Sequence, residues 1–484
     1  MTRRGLTRIN VLLSLLLAAF VARVWLMALP SSLWVDELVT IFVIRFPGHA
    51  SFSVAPQVPQ SIYYLLPRLS WALFGPSEAA LRLPSVLAMT AALYFIAKLA
   101  ARLIHPQAAW LAVFVCLAFR NFDYFAVDAR PYGLGIAIAS ASLLFLIRWL
   151  DHGCWADQAA FVILAALLWR VHLFYWPFYL VYLVYTIARR DRRATPWQIG
   201  VAAIVLVAAL IPVALTALRI ARGAGAHSFV DPPTLRNLFY LVHAHIVLLC
   251  LLPALVLRRH LVKLKSAEAA LILCWWLVCP LALFAYSRIS GNGVLIMRYV
   301  SLMLPGLGLI VTAIAASLFP VALEKSAALA TGVVALVFLG QWGALWPPHD
   351  QDDWRDAAAL ERTLASARTP VLCISPFIEA LPPVWTPDSP QPSFLSSSFL
   401  YYPITGQPKL LPFELEPESK RWLDGLLGGE LVPSGEFVTY GSTRAVRRLD
   451  EWLSQRPELS AWRKDTTRFD MISVAVYRAP PPTP

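Results

Sequence analysis

Apolar residues in this chain do not alternate with polar ones; they come in long runs separated by short polar or charged joints. A run of about twenty apolar residues is what an α-helix needs to cross a hydrocarbon layer. Read this way, the pattern predicts helices near 9–29, 84–104, 107–120, 133–150, 158–171, 172–188, 197–218, 237–257, 267–287, 299–319 and 326–346, about eleven spans in all. After Trp346 the runs stop. The remainder has the shorter periods of a domain in water: DDWRDAAALERTLASA and TRAVRRLDEWLSQR carry helical spacing, PVLCIS and MISVAVYRA read as buried strands, and LPPVWTPDSPQPSFLSSS reads as loop. The expected fold class is an α-helical polytopic membrane protein over 1–346 with a small α/β domain over 347–484.

Between the first two spans lies a long loop, 30–83, with Pro at 30, 47, 56, 59 and 67 and an amphipathic piece, IYYLLPRLSWALF. Such a piece suits a short helix lying in the membrane interface. The N-terminal run is long, and no small-residue cleavage site follows it, so it reads as a retained first span rather than a signal peptide.

Composition agrees: 58% of residues are hydrophobic and 14% charged, where soluble domains carry about a quarter charged. Residues 347–484 hold 14 Lys+Arg and 18 Asp+Glu, leaving 27 and 11 for the first 346, so the membrane part is strongly basic and the tail mildly acidic. Bases collect in cytoplasmic loops and at lipid headgroups, so the excess does not point to nucleic acid. TRRGLTR, RRDRR at 189–193 and RRHLVKLK at 258–265 fall on one side of the predicted topology, which makes that side cytoplasmic. The 30–83 loop, RNFDYFAVDARPY, the 219–236 loop, SRISGNGVLIMRY and the tail are then extracytoplasmic. Six scattered cysteines, one of them in the tail, exclude a disulfide framework there, and no Cys/His spacing fits structural zinc.

The scarce acids matter most. SSLWVDELVT sets Asp36 and Glu37 just where the first span ends, although a carboxylate in hydrocarbon costs roughly 2.5–3.5 kcal/mol. The pair reads as a solvated helix end, or else as a general base or a metal ligand at the membrane surface. FDYFAVDARPYGL crowds Asp123, Asp128 and Arg130 at a span end beside Tyr124 and Tyr132. Pro131 suits the first turn of the following helix, whose free N–H groups favour an anion, and Arg130 offers a fork for phosphate. A local Asp128–Arg130 charge pair is the plain alternative. Glu78 and Arg82 stand four apart, the spacing of a helical ion pair. Arg298 and Tyr299 in IMRYVSLMLPG, and His172 in WRVHLFYW, fall at outer boundaries. His243 and His245, two apart within a helix, are expected to face different sides and to make poor metal partners. No GxxxxGK[ST] or GxGxxG occurs, so no nucleotide is expected and any reaction must draw its energy from a lipid-linked substrate.

In their order along 9–320, WVDE, IYYLLPRLSWALFG, SEAALRLPSVL, VDARPYGL and MRYVSLMLPGL resemble the GT-C membrane glycosyltransferases, the group that includes protein O-mannosyltransferases and lipid A aminoarabinose transferases. The resemblance implies a mannosyltransferase-like enzyme of the inner (plasma) membrane. It would move a sugar with inversion from a polyprenyl-phosphate donor to a hydroxyl on an envelope glycan, lipid or protein at the extracytoplasmic face. It further implies Asp36 as the acid that activates the acceptor, Glu37 beside it and Asp128 as a second acid. Arg130 and Arg298 would meet the donor phosphate, and Tyr63, Tyr64, Arg82, Tyr132, His172 and Tyr299 would line the cavity. Asp36 and Asp128 offer oxygen ligands suited to Mg²⁺ or Mn²⁺. One departure stands out: relatives often carry His-Pro-Pro or a similar polar triplet before the interfacial helix, where this chain has PQVPQS with Gln57 and Gln60. That places a catalytic His or Lys in this loop in doubt. The rival readings are a polyprenyl-lipid or small-molecule transporter (flippase), which would need ionisable groups near the bilayer midplane, and a catalytically inert scaffold.

Overall fold

The computed structural model describes residues 3–223, 231–257, 262, 264–382, 384–387 and 391–481. Met1 and Thr2 of the first basic cluster, residues 224–230 of the 219–236 loop, 258–261 and 263 of the RRHLVKLK cluster, and 383 and 388–390 of the Pro/Ser-rich loop lie outside the described residues. The chain divides into two compact units, Met1–Leu29 with Gln60–Pro347, and Pro30–Pro59 with Pro348–Pro484. Here the expected boundary needs correcting, because residues 30–59 group with the tail rather than with the spans.

The first unit is helical. Among the described residues, Arg8–Ala28, Glu78–Leu103, Tyr132–His152, Pro196–Ala221, Ser266–Ser290 and Val321–Leu339 are long and apolar enough to cross a membrane. Ala108–Leu117 with Arg120–Val127, and Leu235–Leu241 with Ala244–Val256, are pairs bent by 77° and 64°. Leu173–Ala188 and Met303–Leu318 are shorter, as is Trp155–Val171. Each of the eleven apolar runs falls on one of these helices, yet six, or eight with each bent pair taken as one, meet the length of a crossing. The protein is a multi-pass membrane protein.

Local sequence sets the helix ends. Ser77 Oγ accepts the Ala80 N–H at 3.2 Å and starts Glu78–Leu103. Gly153, at φ +71°, closes Tyr132–His152 in the left-handed conformation that glycine adopts without strain. The second bent pair breaks at His243, φ +55°, and the Trp276 indole takes the Val242 carbonyl at 2.8 Å. That break corrects the expectation for the two histidines: the rings of His243 and His245 stack with centroids 6.0 Å apart. Ser266–Ser290 and Met303–Leu318 meet backbone to backbone, since a Cβ on Gly306 would lie 2.6 Å from the Trp276 nitrogen.

Arg23 joins the first span to the last. It is 8% exposed, and its Nε, Nη1 and Nη2 donate to the carbonyls of Gly340, Leu345, Gln341 and Ala344 at 2.5–2.7 Å. A cation at the C-terminal end of Glu324–Leu339 also meets the negative end of that helix dipole.

The second unit is built on a five-stranded sheet of β1 (Pro370–Ile374), β2 (Gln407–Leu411), β3 (Glu436–Ser442), β4 (Arg463–Phe469) and β5 (Ile472–Arg478), in the order β2-β1-β3-β5-β4. β1 runs parallel to β2 and β3, and β5 antiparallel to β3 and β4. The helices Trp354–Leu364 and Thr443–Leu453 bury their apolar stripes, Trp354, Ala357 and Ala358 in one, Val446, Leu449 and Leu453 in the other. β4 is exposed along its length and carries Arg463, Lys464, Asp465 and Arg468, charges that protect an edge strand. Helix Val35–Arg45 and the turn Ala50–Val54 belong to this unit: Phe52 stacks on Phe394 with centroids 5.7 Å apart.

Candidate functional site

In the first unit the candidate residues gather where three chain breaks meet. The helix Arg120–Val127 ends on Asp128, and Pro131 starts the next helix, so Arg130 sits in the joint. The Arg130 N–H donates back to the Asp128 carbonyl at 2.7 Å, making a tight turn. Asp128 is fully buried, and Arg130 Nη1 donates to Tyr64 Oη at 3.0 Å. Tyr63 and Tyr64 come from a short turn, Ile62–Tyr64, which Ser61 caps at its start. Ser61 Oγ accepts the Tyr63 N–H at 3.2 Å and donates to the Val171 carbonyl at 2.5 Å. That bond pins the interfacial loop to the residue before His172.

His172 lies in the break between Trp155–Val171 and Leu173–Phe178. Its Nδ1 accepts the Phe174 N–H at 3.3 Å, which places the proton of a neutral ring on Nε2. Aromatic rings surround it: Tyr132 at 5.7 Å, Tyr175 at 5.2 Å and Tyr299 at 5.2 Å between centroids. Tyr175 is anchored through Oη to Ser301 Oγ at 2.9 Å. Its ring enters only because residue 135 is glycine, where a Cβ would lie 2.3 Å from it. Arg298 holds its guanidinium 5.5 Å from the Tyr299 ring centroid, and the charges of Arg130 and Arg298 both act on His172. Two guanidiniums and an imidazole between aromatic walls make a chamber fit for an anion flanked by apolar or sugar surface.

The structure thus brings Tyr64, Arg130, Tyr132, His172, Arg298 and Tyr299 into one chamber. Tyr63 turns toward the second span, its Oη 2.9 Å from Ser85 Oγ. Arg82 is fully buried and its Nη1 donates to the carbonyls of Leu29 at 2.9 Å and Ala28 at 3.4 Å, capping the end of the first span. Asp123 accepts the Trp25 indole N–H at 2.9 Å, a second tie to that span. Sequence reading missed Ser61, Tyr175 and Ser301. A lone Ser or Tyr in an apolar run carries no signal of its own, although the WPF kink after His172 marks a break in which such groups are needed.

The acid pair lies in the second unit, at the start of Val35–Arg45. Glu37 is fully buried and its Oε2 accepts the Trp34 N–H at 3.3 Å, a helix-capping bond. Asp36 is half-buried beside it. The backbone around the pair is held by the chain that follows Pro347. Asp352 Oδ2 accepts the Val35 N–H at 3.3 Å, Tyr402 Oη accepts the Leu33 N–H at 3.0 Å, and Arg355 Nη2 donates to the Pro30 carbonyl at 2.7 Å. Burial, together with the charges of Asp350 and Asp36, pushes the Asp352 carboxyl up to about 6, against the Val35 N–H that lowers it. The sequence signal for this brace was the acid-rich HDQDDW, which reads at first only as the start of a helix.

Comparison with known proteins bears on the family and the fold. Residues 58–215 match the family described as dolichyl-phosphate-mannose-protein mannosyltransferase. No curated protein matches the sequence. ArnT from Cupriavidus metallidurans in the apo state shares 12% identity, with 98% of each chain covered and a TM-score of 0.59. The same protein bound to undecaprenyl phosphate shares 12% identity over 96% of this chain and 97% of that one, with a TM-score of 0.54. The chain therefore has the GT-C fold of ArnT over nearly its full length, and over residues 58–215 it carries the sequence pattern of the dolichyl-phosphate-mannose-protein mannosyltransferase family.

Proposed function

We propose that the protein is a polyprenyl-phosphate-sugar-dependent glycosyltransferase of the inner membrane that acts on a hydroxyl of an envelope glycan, lipid or protein at the extracytoplasmic face. One observation carries the reading: the stretch that matches the mannosyltransferase family, 58–215, contains both the Tyr64–Arg130 and the Tyr132–His172 contacts. The family match and the geometry of the chamber converge on the same residues.

In this reading Arg130 and Arg298 hold the donor phosphate, and the Tyr132, His172 and Tyr299 rings face the sugar or the first prenyl unit. The acceptor oxygen forms a bond to the anomeric carbon as the bond from that carbon to the phosphate oxygen breaks, with inversion and oxocarbenium character. Asp36 takes the hydroxyl proton, and polyprenyl phosphate leaves with its charge offset by the guanidiniums. Glu37 orders the helix start that carries Asp36, and Asp128 serves as the second acid. A divalent ion would be held by carboxylate oxygens, Asp36 among them, and would supply further charge for the leaving phosphate. Activity that survives chelation removes the ion from the scheme.

The test is transfer by the purified protein from a panel of radiolabelled polyprenyl-phosphate sugars into envelope extract. Asp36→Asn is expected to lose the labelled product while still binding donor. Full activity of that variant sinks the assignment, and movement of labelled lipid across liposomes without any acceptor points to a flippase instead.

A further inference from the structure

Glu78–Leu103 and Tyr132–His152 start at the chamber residues, and their other ends line an open cavity of about 630 Å³. A helix of 26 residues is about 39 Å long, so the two sites sit at opposite faces of the membrane unit. The floor of the cavity is an ion network. Arg102 grips both oxygens of Asp151 at 2.9 and 3.2 Å and reaches Glu268 at 3.2 Å, while Arg189 binds Asp151 at 2.7 Å and Asp191 at 2.8 Å. Every charge there has a partner, and the floor is structural.

The rim is different. Lys98 makes no ion pair among the described residues, and its ammonium lies 5.4 Å from the Tyr94 ring centroid. Arg148 is paired with the buried Asp157 at 3.1 Å, but its side chain is 53% exposed. One turn inward from Lys98 and Arg148 come Tyr94, which is exposed, and Leu144, which is half-exposed, and both line the cavity. A surplus cation at headgroup depth above apolar side chains fits one chemistry, a phosphate carried on an acyl-chain lipid. The size fits as well, because small-molecule sites span about 300–1,000 Å³.

We infer that this cavity is a binding site for the headgroup phosphate of an anionic phospholipid, at the membrane face opposite the chamber. Lys98 meets the phosphate, Arg148 adds a second donor from the rim, and the Arg102–Asp151–Arg189 network keeps the helix ends apart. Inorganic phosphate shares this chemistry without the acyl chains.

Native mass spectrometry of the full-length protein in detergent tests the inference, with phosphatidylglycerol, phosphatidylcholine or inorganic phosphate added at equal concentration. Phosphatidylglycerol is expected to bind in preference to phosphatidylcholine. Lys98→Gln should weaken that preference roughly fivefold and Lys98→Glu about thirtyfold, taking about 1 kcal/mol per charge. Arg288→Gln, at the other end of the unit, should leave it unchanged. Both Lys98 variants keep the network, so an unchanged melting temperature shows that they fold. Equal binding of the two lipids, or unaltered phosphatidylglycerol binding in Lys98→Glu, overturns the inference. Displacement of the lipid by inorganic phosphate assigns the cavity to a free anion and overturns the lipid reading.

Discussion

The two ends of the membrane helices keep their arginines in different company. At one end Arg102 and Arg189 are clamped by Asp151, Asp191 and Glu268, and Arg189 also donates to Tyr185 Oη at 2.7 Å. At the other, Arg130 bonds a phenol and Arg298 rests against a ring. A carboxylate cancels the charge it fixes, and breaking such a buried pair is costly. A phenol or an aromatic face orients a guanidinium without itself carrying a formal negative charge. The difference sets the carboxylate-clamped arginines that hold helix ends together apart from the two arginines that the proposed function assigns to the donor phosphate.

The largest effect expected in the enzyme is from Asp36→Asn, a loss of about 10²–10⁴-fold in transfer rate if it is the acceptor base, measured under saturating donor. Next, Arg189→Ala should lower stability, because Asp151 keeps Arg102 but loses its second guanidinium and the Tyr185 hydroxyl loses its donor. Thermal unfolding in detergent measures that loss. Arg130→Ala is expected to weaken donor binding about 10–100-fold, the worth of a charge-assisted hydrogen bond of roughly 1.5–3 kcal/mol, read as donor affinity of the folded variant. If Arg130→Ala binds donor as tightly as the unaltered protein, the contrast between the two ends collapses. Gly135→Ala pushes the Tyr175 ring off His172 and should cost about 1–3 kcal/mol, with transfer reduced in step.

The smallest effect is from pH. The Asp352 carboxyl is raised to about 6 in the folded chain, so between its ordinary value and 6 the folded form binds more protons than the unfolded one. Stability therefore rises as pH falls from 7 toward 5, by roughly 2 kcal/mol at most. Asp352→Asn should flatten that slope in a pH series of melting curves.

Much of this was legible in the sequence. The apolar runs marked every membrane helix, because twenty apolar residues have few other uses in a chain this poor in charge. TRAVRRLDEWLSQR and MISVAVYRA told their elements by period alone. The bends did not show, since Phe119 and His243 are ordinary residues in apolar company and only their backbone angles break the helices. β2, β3 and β4 were missed because QPKLL, EFVTYGS and RKDTTRF lack a clean alternation and are held by neighbours distant in sequence. Within the chamber, the charged and aromatic members were readable as span-end oddities. Ser61, Tyr175 and Ser301 were not, for their value lies in partners as far as 126 residues away. Arg82 also makes a tie that spacing could not announce, since its Nη1 donates to the Leu29 and Ala28 carbonyls at the end of the first span.

Arg23 has a consequence for biosynthesis. Its acceptors lie 317 to 322 residues further along the chain, and translation at about 5–20 residues per second needs roughly 16–60 s to reach them. For that interval the first helix carries a guanidinium through an apolar stretch before Gly340, Gln341, Ala344 and Leu345 exist. The insertion machinery or a neighbouring lipid headgroup must shelter the charge until the last helix arrives. Completion of the membrane unit is thereby tied to the arrival of the last helix, and a chain truncated before residue 340 would lack all four carbonyls that hold Arg23.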